Sequence, residues 1–136
     1  MAKILLIEDD PTVLSVMAVN LTARGYDVVT ATSGEEGLEL ALDPGGQPVD
    51  LVVLDIILPG MSGWDVMRAL RRHATTRGVP IVICSAMFYD SAKALGRRLG
   101  SAEYLAKPFT IDSLLDAVRR MLGEHKGDEP SKGPAG

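Results

Sequence analysis

Four short apolar runs end on groups able to do acid, metal or phosphoryl chemistry. Lys3–Ile7 stops at Glu8-Asp9, Leu51–Leu54 at Asp55, Ile81–Cys84 at Ser85, and the run through Ala106 at Lys107. Unbroken runs of Ile, Leu and Val without alternation mark strands buried on both faces. Singly, each polar end has a plain explanation. Glu8-Asp9 can cap a helix, Ser85 can be a loop hydroxyl, and Lys107 can be a solvated amine. Together they gather at the carboxyl edge of a sheet, where open α/β sheets bind ligands. Three carboxylates in one crevice repel one another and resist burial as ions. A hard divalent cation relieves this, and a site left open to phosphate oxygens favours magnesium over calcium. Lys107 cannot ligate a metal but can pair with a carboxylate or a phosphate. The set reads as a phosphoryl-binding site containing a nucleophilic carboxylate.

The elements that position these groups follow from periodicity. Strands are predicted over 3–7, 26–31, 51–55, 81–84 and 103–106. Asp10 caps a first helix over 11–24, with Pro11 in its first turn and Leu14, Met17, Ala18 and Leu21 inward. Ser33 opens a second helix with Leu38, Ala41 and Leu42 on one face. Ser62 opens a third, with Val66, Met67 and Leu70 inward. A fourth is expected over about 90–99, with Leu95 and Leu99 inward and Gly100 as its stop. Thr110 opens a fifth, running to Leu122. Strands that alternate with helices build a parallel sheet covered on both faces, a doubly wound α/β fold. Residues 1–122 form one domain. Residues 123–136 carry too little apolar surface to fold and are expected to be a disordered tail.

Composition narrows the function. Of 136 residues, 46% are hydrophobic and 24% charged, a globular balance. The net charge of −4 argues against direct nucleic-acid binding. The one cysteine, Cys84, permits no internal disulfide and suits a reducing, cytoplasmic setting. No stretch is long enough to span a membrane, and no signal peptide is visible.

With these residues in place, the chain resembles the receiver domains of two-component response regulators, the single-domain chemotaxis regulators among them. The resemblance covers about residues 3–122. It rests on Glu8-Asp9, Asp55, Ser85-Ala86, Tyr104 and Lys107-Pro108-Phe109 at matching spacing, and on the segment from Asp55 to Gly63. It implies a flavodoxin-like five-stranded parallel sheet of order 2-1-3-4-5 with five helices. It implies Asp55 as phosphoacceptor, with Lys107 and Ser85 assisting. It implies magnesium held by Glu8, Asp9, Asp55 and the Ile57 backbone carbonyl, and a cis Lys107–Pro108 bond. Ser85 and Tyr104 would form the switch. The partners implied are a sensor histidine kinase or phosphotransfer protein and a downstream effector, with neither nucleic acid nor membrane contacted directly. The readout surface would be the fourth helix, fifth strand and fifth helix, with Arg97, Arg98, Asp116 and Arg119 exposed there. The same surface could serve a homodimer. The chain would catalyse only its own phosphorylation and dephosphorylation.

Alternatives are weaker. A haloacid-dehalogenase-type phosphatase wants an Asp where Ile57 stands. A P-loop enzyme wants a glycine-rich loop with Lys-Ser or Lys-Thr, and a dinucleotide site wants G-x-G-x-x-G after the first strand. A phosphorylation-independent pseudo-receiver would usually lack a site residue, and none is missing, so it stays a second reading. A receiver module of a longer regulator remains an alternative architecture. His73 and His125 do not sit where a relay histidine would. Arg68, Arg71, Arg72 and Arg77 read as a solvated face. In receivers generally, the residues two after the phosphoacceptor and two after the hydroxyl flank the water that removes the phosphoryl group. Here they are Ile57 and Met87, apolar groups that cannot orient a water, so a slow loss is expected.

Overall fold

The computed structural model describes residues 1–86, 94, 97, 98 and 102–124. Five strands, β1 (Lys3–Ile7), β2 (Asp27–Ala31), β3 (Leu51–Asp55), β4 (Ile81–Ser85) and β5 (Ala102–Ala106), form one sheet of order β2-β1-β3-β4-β5. Every pair is parallel. Four helices are described: α1 (Pro11–Ala23), α2 (Gly34–Ala41), α3 (Gly63–Arg72) and α4 (Ile111–Met121). The α4 helix is the fifth of the sequence-based prediction. The helix expected over 90–99 lies outside the described residues, apart from helical, exposed Ala94, Arg97 and Arg98. Met87, Leu95, Leu99, Gly100, His125 and most of the tail also lie outside them.

The central strands bury both faces, as runs of β-branched and leucine residues should. On one side, α1 and α4 cover Ile4, Leu6, Val53 and Val82 with Leu14, Met17, Leu21, Leu114 and Val118. On the other, α3 packs Val66, Met67 and Leu70 over Leu5, Val52, Leu54 and Ile83. Complete burial of a leucine or isoleucine is worth about 1.5–3 kcal/mol, so these two layers hold the sheet.

The α2 helix departs from its expected pattern. Its buried residues are Gly34 and Gly37, and Leu38, Ala41 and Leu42 are only half-buried. A methyl group on Gly37 would lie 2.4 Å from Ile7 Cδ1, so the helix needs a bare backbone to reach β1. Three strand ends also shift, and the first is β5, which begins at Ala102 rather than Glu103. β4 includes Ser85, because the Lys107 N–H donates to the Ser85 carbonyl at 2.9 Å and carries the ladder past the apolar run. β2 begins at Asp27 rather than Tyr26.

Candidate functional site

Sheet register brings the polar strand ends together. Ile7 is level with Leu54 and Asp55 with Cys84, so Glu8, Asp55 and Ser85 emerge on adjacent strands at one edge. All three are buried: Glu8 is 1% exposed, Asp55 5% and Ser85 0%. Asp9 is exposed at the mouth.

Lys107 ties the buried carboxylates. Its Nζ donates to Glu8 Oε1 at 2.7 Å and to Asp55 Oδ2 at 2.9 Å. The Lys107–Pro108 bond is cis. The other carboxylate oxygens take backbone donors: the Asp10 N–H reaches Glu8 Oε2 at 3.1 Å, and the Ile57 N–H reaches Asp55 Oδ1 at 3.0 Å. Burying two carboxylates is costly unless they are paired, and one ammonium shared between them meets that demand. Burial raises the Glu8 carboxyl above its ordinary value, against the lowering effect of its bonds to Lys107 and Asp10. Burial would lower Lys107, but its bonds to Glu8 and Asp55 outweigh that and keep the ammonium protonated.

Glu8, Asp9 and Asp55 can bring one oxygen each to within 4.8 Å of one another. Three carboxylates against one ammonium leave an excess of two negative charges. That donor set fits a hard divalent cation. The Ile57 carbonyl accepts no hydrogen bond among the described residues and is available as a fourth oxygen.

A family model for the response regulator receiver domain matches residues 4–119. The chain belongs to this family. Among curated relatives of this receiver is the DNA-binding dual master transcriptional regulator RpaA of Synechocystis, 38% identical over 90% of this chain and 49% of that protein. Another is the transcriptional regulatory protein KdpE of Mycobacterium tuberculosis, 39% identical over 96% of this chain and 57% of that one. Protein PilH of Pseudomonas aeruginosa is 32% identical over 90% of this chain and 98% of its own length. The chain thus spans about half the length of RpaA and KdpE. Among solved structures, Vibrio cholerae chemotaxis protein CheY4 superposes with a TM-score of 0.82 at 29% identity, over 90% of this chain and 99% of that one. The receiver domain of sensor histidine kinase PA1611 from Pseudomonas aeruginosa, solved with magnesium coordinated in its active-site cleft, gives 0.78 at 30% identity, over 90% and 98% of the two chains.

The receiver's remaining site residues fall as follows. Tyr104 is half-buried, and its hydroxyl donates to the Ser85 carbonyl at 3.0 Å, which joins the two expected switch residues. Ile57 is 58% exposed beside Asp55. Cys84 is a core residue whose thiol is pushed up to about 12 by burial, so it is inert. Asp116 and Arg119, expected to be exposed, are partly buried and pair with each other at 3.5 Å. Gly63 is a positioning residue whose role the sequence reading did not assign. A Cβ there would lie 2.4 Å from the Asp55 carbonyl oxygen, so α3 abuts the end of β3 only because residue 63 has no side chain. Its N–H donates to the Ile56 carbonyl at 2.9 Å and fixes the loop behind Asp55. A glycine directly after the N-cap Ser62 was the available signal.

Proposed function

We propose that this receiver accepts a phosphoryl group on Asp55 from the phosphohistidine of a sensor histidine kinase or phosphotransfer protein. An Asp55 oxygen attacks phosphorus, the phosphorus–nitrogen bond breaks, and the histidine leaves as imidazole with a proton from solvent. The product is an aspartyl phosphate, later lost to water. The chain acts on no other substrate. The observation that supports this best is the single ammonium of Lys107 bonded to two buried carboxylates beside the exposed Asp9. Lys107 sits where it can offset charge on the incoming group, and the Ile57 N–H orients the carboxylate. Magnesium held by Asp9, Asp55, Glu8 and the Ile57 carbonyl supplies further charge neutralisation when bound.

The donor's docking surface is suggested by α1. This helix contains no charged residue, and Val16 and Val19 are 45% and 65% exposed. Beside it lies a cavity of about 510 Å³ lined by Val13, Val16, Pro108, Phe109 and Ile111, with Lys107 at its rim. An apolar surface that reaches Lys107, the partner of Asp55, suits a helical donor protein.

The readout runs through Ser85 and Tyr104 to β5, α4 and the exposed Arg97 and Arg98. There the phosphorylated state binds an effector or a second copy by population shift. No described helix is long and apolar enough to cross a membrane. A reducing, cytoplasmic setting fits the lone buried thiol. The test is incubation with phosphoramidate and magnesium, read by intact mass. One phosphoryl group per chain and no turnover of other phosphate esters is expected. A chain that stays unmodified overturns the proposal.

A further inference from the structure

Charge is segregated along this chain in a way the phosphoacceptor site does not use. The α2 segment holds Glu35, Glu36 and Glu39 and no Lys or Arg, and the α3 segment holds Arg68, Arg71 and Arg72 with Asp65 as its one acid. The fold places these segments side by side as α2 and α3, on the same face of the sheet. Glu35 and Glu39 stand one turn apart on the exposed side of α2, and Arg68 and Arg72 one turn apart on the exposed side of α3. The two stripes are not consumed within the molecule. Glu35, Glu39 and Asp43 form no ion pair among the described residues, and Arg68 meets only Asp65 at 3.4 Å, on the surface. Arg71 differs, since it caps the Arg77 and Val79 carbonyls.

A groove of about 730 Å³ runs beside the acidic stripe. It is lined by Leu38, Leu40, Leu42, Pro44 and Met61 together with the exposed carboxylates Glu35, Glu39 and Asp43. An apolar groove with three carboxylates in its lining fits an apolar surface edged with cations. The exposed side of α3 offers such a surface, with half-buried Trp64 beside Arg68 and Arg72.

We infer that the α2–α3 face binds a second copy of this chain, the acidic stripe of each copy lying on the basic stripe of the other. The levels match. A Cβ on Gly34 would lie 2.7 Å from Val66 Cγ2, so residue 34 sits beside residue 66. Both helices run back from the carboxyl edge at about 1.5 Å per residue, which sets Glu35 and Glu39 within about one residue's rise of Arg68 and Arg72. A two-fold axis parallel to the helices, between α2 and α3, preserves these levels. It sets α2 against the partner's α3 twice over, in a closed, self-complementary contact. An axis through either helix alone would oppose like charges. This inference is independent of phosphorylation and of the readout surface.

The test is sedimentation velocity at low salt over a rising concentration series. The parent should show a concentration-dependent dimer that weakens as salt screens the stripes. The reversed chains E35R/E39R and R68E/R72E should each be monomeric, since each opposes like charge to like. Mixed together they should form a one-to-one dimer, because both contacts become complementary again. Circular dichroism and phosphoramidate labelling report that both variants are folded. A mixture that stays monomeric overturns the inference, as does a reversed chain that dimerises like the parent. A parent that is monomeric at millimolar concentration also overturns it and leaves the groove to a basic helix of a different protein.

Discussion

At the amino edge of the sheet, strong polar contacts close loops. The Lys3 N–H donates to Asp50 Oδ2 at 2.7 Å, and Lys3 Nζ to the Gln47 carbonyl at 2.9 Å. Thr76 Oγ1 donates to the Leu70 carbonyl at 2.6 Å, and Arg71 to the Val79 carbonyl at 2.7 Å. At the carboxyl edge the ionisable side chains face one another instead, and Lys107 binds Glu8 and Asp55 inside the protein. The strands are alike at both ends, but the electrostatics are not. A side chain held by a backbone group has its bonding settled by a neutral partner. Carboxylates held by one shared ammonium retain unused lone pairs and excess charge, and so can accept a cation and an electrophile.

Cutting the shared tie should have the largest effect. Lys107→Met leaves two buried carboxylates without a cation, and breaking a buried pair costs about 3–5 kcal/mol. Lys107 is 24% exposed, so the lower end, about 3 kcal/mol, is expected in urea unfolding, along with much slower labelling by phosphoramidate. A loss below about 1 kcal/mol would mean that the carboxylates do not depend on the ammonium.

A smaller effect is expected at the mouth of the same edge. Ile57 cannot orient a water, so the double variant Ile57→Asn/Met87→Glu should lose its phosphoryl group at least about tenfold faster, a barrier change of ~1.4 kcal/mol. The decay of labelled protein in magnesium measures this. Equal decay in parent and variant would place control of the lifetime elsewhere.

The smallest effect belongs to the amino edge. Thr76→Val keeps the shape and removes one buried hydrogen bond, so unfolding should lose about 1 kcal/mol. Labelling should be unchanged. A change in labelling would show that the two edges are coupled and would blur the contrast between them.

The carboxyl edge was the more legible end because unbroken apolar runs expose their own stops. Glu8, Asp55 and Lys107 each follow such a run, and α/β alternation brings the stops to one edge. The pairing itself could not be read locally: Lys107 is 99 residues from Glu8 and 52 from Asp55. Close approach by glycine also escaped the pattern. Gly34, Gly37 and Gly63 bury backbone rather than side chain, so hydrophobic periodicity gave α2 a leucine face that its structure only half-buries. Ser85 lies beyond the apolar run yet inside its strand, because hydrogen bonding rather than apolarity extends β4.

The central claim is that Asp55 alone becomes covalently modified. Parent and Asp55→Asn are incubated with phosphoramidate and magnesium and weighed intact. The amide keeps the shape, and its one carbonyl oxygen can still accept from Lys107 or from the Ile57 N–H, so the variant should fold. The expected result is one phosphoryl group on the parent, none on Asp55→Asn, and none on either chain when magnesium is chelated. Stoichiometric labelling of Asp55→Asn would contradict it.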